Sequence, residues 1–531
     1  MGPTGFPPRG VHVPDTPKHT RRSVLIGGAA AVALGAGLTR ASASTGAGSA
    51  PAGEVFTLGV ASGDPLPNGV VLWTRLAANP LAEDGMGGMP GKALPVQWQI
   101  SRDERFTRIV HSGQTWAAPE EAHSVHVEAD GLEPGTEYYY RFRAGREISP
   151  VGLTRTAPAP WQLSPLTMCF ASCSHYGEGY FTAYRRLAED HPDLVLHLGD
   201  YQYEYAAKAT DVRTVAGPET VTLADYRLRH AQYKTDPDLQ LAHATAPWLV
   251  VWDDHETENN WADEVPEASS QTPGAAFLDR RAVAFQAYYE NMPLRRNARP
   301  RGIDMQLYRR IQWGQLATFH MLDTRQYRDD QACGDGVKVG CDERLSPNRT
   351  ITGQEQEKWL VDGFRNSRAR WDVLGQQVVF SEIDFTAGSQ LGYNMDAWDG
   401  YKANRDRIAS AMGNSGVRNG VVLTGDVHRH WASEVKETYG RPDSKGVGVE
   451  LITTSVTSGR DGDDDPYQSV LDENPHVKFH KNRRGYIRTR FTADELRADY
   501  RILPYVSKPG AAAETAASFV VTDRDPSLHR I

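Results

Sequence analysis

The chain has 531 residues, 40% of them apolar and 24% charged, with a formal net charge of −9. That length exceeds one small domain and predicts two, one of them large. The acidic balance argues against general nucleic-acid binding, and no collagen-like, Gln/Asn-rich or repeat tract points to a fibrous or low-complexity protein.

Residues 1–43 read as a targeting segment. In "TRRSVLIGGAAAVALGAG", Arg21 and Arg22 precede an Ala/Gly-rich apolar run, and Ala-Ser-Ala at 41–43 offers a small-residue cleavage site. The segment resembles a twin-arginine signal, an address read by the Tat translocon. Ser23–Leu38 spans only 16 residues, too short and too Gly/Ala-rich for a stable membrane anchor. A secreted or cell-envelope protein is expected, whose residues after 43 carry a formal charge of about −13. Residues 44–53 read as a flexible lead.

From 54 to 157 the signals are all β. "VVLWTRL", "LPVQWQISRD" and "HSVHVEADGLEPGTEYYYRFRAG" alternate apolar and polar residues between turn residues. "GLEPGTEYYYRF" has the pattern of a tyrosine corner, and the whole predicts a fibronectin- or immunoglobulin-like sandwich. The Pro-containing "APWQLSPLT" reads as a linker.

The period then changes. Strands "LTMCFAS", "LVLHLGD", "WLVVWDD", "WDVLGQQVVF" and "NGVVLTGD" alternate with helices such as "GYFTAYRRLAED", "LADYRLRHAQYKTD" and "GQEQEKWLVDGFRNS". A hairpin is expected to turn near Gly314, and "RRGYIRTRFTADELRADYRIL" reads as antiparallel β. This predicts one large α/β domain over 165–505. Residues 506–531 are expected to be a tail or cap, with a short helix after Gly510.

Four cysteines remain to be placed, and even pairing is expected in an exported chain. Cys333 and Cys341 flank "GDGVKVG" and are expected to close a small disulfide. Cys169 and Cys173 are four apart on a strand; such side chains share a face but lie about 13 Å apart, beyond disulfide reach. Cys169 reads as an inert core thiol, and Cys173 is left free.

Four polar clusters each follow an apolar run: Cys173-Ser174-His175, Asp200-Tyr201-Gln202-Tyr203, Asp253-Asp254-His255-Glu256 and Asp426-Val427-His428. In open α/β sheets ligands bind beyond the carboxyl ends of strands, so these clusters can converge. So many crowded acids need partners, and cations supply them. Asp200 is placed to bridge two ions. Cys173, Tyr203 and His428 would complete one site, whose thiolate and phenolate suit ferric iron. Asp254 and Asp426 would supply an oxygen-rich second site for calcium, magnesium or manganese. Two such ions clamp an in-line displacement at phosphorus.

The order "FASC…GDYxY…WDDHE…GDVH", with "LDTRQYRDDQ" and "NPHVKFHKNRRGY", resembles PhoD-type alkaline phosphatases and phosphodiesterases of the metallophosphatase superfamily. The resemblance covers nearly the whole chain after the leader. It implies a four-layer α/β/β/α core preceded by the sandwich, with Fe3+ and Ca2+ as cofactors. It also implies phosphomonoester and phosphodiester substrates, attacked in line by metal-bound hydroxide. By motif, Cys173, Asp200, Tyr203 and His428 match the iron ligands, and Asp200, Asp254 and Asp426 the calcium ligands, with Asn259 or Asn260 added. His255 is expected to assist a phosphoryl or leaving oxygen, and Arg325 to contact a phosphate oxygen or to pair with Asp323 or Asp329. The sequence departs from the superfamily in placing Cys173 where a carboxylate is usual, Asp254 where Asn is usual, and Gln376 or Gln377 where a further His is expected. Two other readings stay open: a phospholipase D-like phosphodiesterase and a non-catalytic cell-surface binding protein. No Gly-x-Ser-x-Gly elbow or His-Glu-x-x-His pair supports a serine hydrolase or zinc protease.

Overall fold

The computed structural model describes residues 54–441 and 443–531, so the twin-arginine segment lies outside the described residues. Among the described residues no helix is long and apolar enough to cross a membrane.

Two large sheets build a mixed α/β architecture. The ten-stranded sheet has at its centre the parallel strands Leu166–Ala171, Leu194–Leu198 and Pro247–Val251. The seven-stranded sheet holds Ala317–Met321, Trp371–Gly375, Gly420–Thr424 and Gly446–Ile452 in parallel. Arg309–Trp313 pairs antiparallel at its edge, through a hairpin turning at Gly314 (φ 57°).

The apolar runs alternate at the strand period of two. Val373 and Val421 share one core with Phe170, Leu196 and Val250 of the other sheet. One residue on, Leu374 and Val422 pack with Leu360 and Phe364 of the helix Gly353–Arg365. The two sheets thus bury one face of each against the other, and an isolated bridge, Ser172 to Ser455, links them beside the candidate site.

The N-terminal region does not form a separate block. Strands Val60–Leu66, Gly69–Arg75 and Ser124–Asp130 extend the ten-stranded sheet through parallel pairing of Ser62 with Pro247 and Gly63 with Trp248. The remaining strands, including Leu94–Ser101, Ile109–Ala117 and Glu137–Ala144, make a separate five-stranded sheet. Val60, Val70 and Leu72 share a core with Val96, Ile100, Tyr138 and Phe142. The Tyr138 hydroxyl accepts a hydrogen bond from the Glu133 N–H at 2.9 Å, the tie of a tyrosine corner. The boundary expected near 157 is crossed by sheet pairing, because the parallel strand Pro247–Val251 offers an edge that Val60–Leu66 covers.

The last 26 residues are neither a free tail nor a helix. Glu514–Thr522 pairs antiparallel with Glu495–Leu503 and buries Phe519 and Val521 in the main core. Cross-strand pairing overrides the helical preference of "AAAETAAS". Deleting residues after Pro504 is therefore expected to cost solubility or lower the Tm, since burial of Phe519 and Val521 is worth about 1.5–3 kcal/mol each. A soluble truncated protein with an unchanged Tm would refute this.

Cys333 and Cys341 form the expected disulfide, and Cys169 and Cys173 are free and buried.

Candidate active site

The four clusters stand at the carboxyl ends of Leu166–Ala171, Leu194–Leu198, Pro247–Val251 and Gly420–Thr424. At each of three ends the backbone turns through the left-handed region, at Cys173 (φ 61°), Asp200 (φ 54°), Asp426 (φ 60°) and His428 (φ 55°). Two glycines let the ends approach. A Cβ at Gly199 would lie 2.5 Å from the Asp253 Cβ, and one at Gly425 would lie 2.8 Å from the Ser172 Cβ. The "Gly-Asp" pairs are thus close-approach points followed by a turned carboxylate.

Possible metal donors of Cys173, Asp200 and His428 all lie within 4.8 Å of one another, as do those of Asp200, Asp254 and His255. Asp200 belongs to both groups. The Tyr203 hydroxyl joins the first: it donates to Asp200 Oδ2 at 2.9 Å, lies 3.1 Å from His428 Nε2, and accepts from Ser458 Oγ at 2.7 Å. Asp426 is in neither close group. Asn259 turns away, its amide nitrogen donating to Glu267 and its backbone N–H to Glu204. The N–H of Asn260 instead donates to Asp254 Oδ2 at 2.7 Å. Gln376 is occupied by Trp398 and Thr424, and Gln377 by Thr324 and Leu322, which leaves both to a structural role.

Arg325 is engaged by buried acids. It is fully buried, donates from Nε to Asp253 Oδ1 at 2.5 Å, and grips both oxygens of Asp396 at 2.9 Å. The expected pairing with Asp323 or Asp329 is replaced by this one, because the cation is drawn to the most crowded buried acids.

Burial pushes the Asp200 and Asp426 carboxyls well above their ordinary range and Asp253 up to about 7, with neighbouring acids adding to each. Against the cost of burial, His255 and Arg325 hold Asp254 below its ordinary range. Burial, then Asp200, raises the Cys173 thiol. One oxygen of Asp200 and one of Asp253 are buried without a hydrogen-bond partner. Such orphaned, crowded acid oxygens beside a thiol and an imidazole form a donor set that fits cations.

Several side chains acquire roles that local sequence does not signal. Glu256 accepts from the N–H groups of Asp200, Tyr201 and Asp253, tying two strand ends together. Glu204 holds His255 Nδ1 at 2.8 Å. Arg484 lies buried near Cys173 and bonds Ser455, Ser458 and Asn482, with no carboxylate partner. Asp396 lies in no motif read above, whereas Arg484 stands within "NPHVKFHKNRRGY".

Residues 168–500 match the PhoD-like phosphatase family, and residues 41–158 match the PhoD-like phosphatase N-terminal domain. The chain belongs to the PhoD-like phosphatase family. As a PhoD-like phosphatase it is a phosphoric ester hydrolase. It is 51% identical to alkaline phosphatase D of Bacillus subtilis (strain 168) over 484 residues, 90% of this chain and 82% of that one. A solved structure of PhoD superposes with a TM-score of 0.87 at 50% identity, covering 90% of this chain and 92% of that one. A purple acid phosphatase from yellow lupin (Lupinus luteus) seeds shares the fold at a TM-score of 0.53 and 13% identity, covering 87% of this PhoD-like phosphatase and 73% of the lupin chain.

Proposed function

We propose that the protein is an exported alkaline phosphatase and phosphodiesterase that works with two metal ions. Cys173, Asp200, Tyr203 and His428 would hold Fe3+; Asp200, Asp254 and Asp426 would hold Ca2+. The observation that carries this reading is the pair of donor groups sharing Asp200. When bound, the ions supply Lewis acidity at the phosphoryl group and a strong nucleophile near neutral pH.

The chain's own residues do the rest. Tyr203, held by Asp200 and Ser458, orients one wall of the site. Glu204 fixes the proton of His255 on Nδ1 and leaves Nε2 to hold or give a proton to the departing oxygen. Arg325, with Arg328 on Asp396, offsets Asp253 and Asp396, and His255 followed by Arg325 keeps Asp254 charged. Export by the twin-arginine route rests on Arg21, Arg22 and the apolar run behind them. That route carries folded proteins, so the Cys173 thiolate would be metallated before it meets an oxidising exterior.

The test is a panel of 4-nitrophenyl phosphate, its bis-ester and phosphatidylcholine, run with elemental analysis. Turnover of the first two with iron and calcium in the protein is expected. Preferential release of choline would favour the phospholipase D-like reading. Absence of turnover on all three, with metals bound, would refute this choice of substrates.

A further inference from the structure

His175 is a buried side chain that the ligand sets above do not use. Only 6% of it is exposed, and neither ring nitrogen has a hydrogen-bond partner. A neutral imidazole carries one N–H donor and one acceptor nitrogen. Leaving both unmet in a buried place is costly, about 1–3 kcal/mol for each such group. A native structure tolerates that where something outside the chain meets the group.

The surroundings narrow what that is. The backbone carbonyl of His175 is already held, by Thr457 Oγ1 at 2.8 Å and the Glu178 N–H at 3.1 Å. Its ring packs on Tyr203 with centroids 4.6 Å apart and on Tyr205 at 6.2 Å. Tyr203 also packs on His255, at 4.1 Å, and Tyr205 meets His255 at 5.3 Å. His175 therefore belongs to a cluster of four rings, of which His255 is a member of the second donor group and Tyr203 is bonded to the first. His175 is not a member of either close donor group itself. Lys208 stands over the Tyr205 ring at 4.6 Å, while the carboxylates of Glu178 and Asp211 also act on His175.

We propose that His175 is a substrate-contact residue whose ring N–H donates to a non-bridging phosphoryl oxygen. The proposal rests on the phosphoesterase reading above and adds to it a recognition element outside the metal ligands. The charged groups around His175 are mixed, Glu178 and Asp211 against His255 and Lys208; the cations of the proposed site supply the positive charge that draws an anion, and the phosphoryl group is the part common to every phosphoester.

The test compares wild type, His175→Ala and His175→Asn as metal-loaded proteins, measuring kcat, KM, competitive inhibition by inorganic phosphate, and metal content. Wild-type turnover is the check on the phosphoesterase reading, independent of this one. In His175→Ala, phosphate inhibition is expected to weaken about tenfold, the worth of one hydrogen bond to a charged partner. KM should rise by a similar factor for 4-nitrophenyl phosphate and for a poorer leaving group alike, with metal content unchanged. His175→Asn, which keeps an N–H donor, should recover part of the loss and guards against misfolding of the alanine variant. Phosphate inhibition within twofold of wild type in both variants would overturn the proposal. So would a loss that follows the leaving group while phosphate affinity stays constant, or one that follows loss of metal.

Discussion

Asp200→Asn is expected to lower kcat/KM for 4-nitrophenyl phosphate by about a thousandfold or more and to deplete both metals together. Asp200 belongs to both donor groups, so removing its charge weakens both sites. Loss of the several kcal/mol that a metal pair contributes corresponds to that factor. The substitution is chosen to leave the backbone alone. Asp200 has φ 54°, and Asn is among the residues that adopt this left-handed geometry readily. The side chain keeps its size, so a large effect belongs to charge and coordination. A useful contrast is His428→Ala, which is expected to deplete the first metal more than the second, because His428 joins only the Cys173 group. Elemental analysis with steady-state kinetics decides: an Asp200→Asn protein retaining both metals and a tenth of its activity would end the bridging assignment.

Arg325→Met is expected to destabilise the folded protein by about 3–5 kcal/mol, the usual cost of removing one partner from a buried ion pair. Its guanidinium compensates Asp253 and Asp396 and lies 3.9 Å from Asp254. Arg325→Lys keeps the charge but not the fork on Asp396, so it should recover only part of the loss. Pairing Arg325→Met with Asp396→Asn should cost less than the two single changes added together, since the neutralised acid no longer needs its cation. Denaturation monitored by tryptophan fluorescence measures all four proteins. A residue that contacted substrate phosphate would behave otherwise, with normal stability and a raised KM.

How much was legible in the sequence follows from how local each signal is. The strand-end clusters were readable because ligand types directly follow apolar runs, and the chain itself places those ends together. The disulfide was readable because its cysteines are eight residues apart. Asp396 was not, since its partners Arg325 and Arg328 lie 71 and 68 residues away and nothing near it differs from ordinary surface charge. The partner of Arg325 is hidden for a related reason: the nearby Asp323 and Asp329 are visible in the sequence, while Asp253 lies 72 residues away. The final strand was missed because an Ala-rich segment reads as helical until a neighbouring strand offers it an edge.

The left-handed turns at the strand ends bear on why a thiol sits in this cluster at all. Three of the four residues there, Asp200, Asp426 and His428, are of types that accept such a backbone readily. Cysteine is not among those types, and aspartate at 173 would adopt the left-handed backbone more readily while matching the neighbouring ends. Conformational preference and chemistry therefore pull position 173 in opposite directions. The chain carries the less comfortable residue there, as expected if its sulfur serves the proposed metal site.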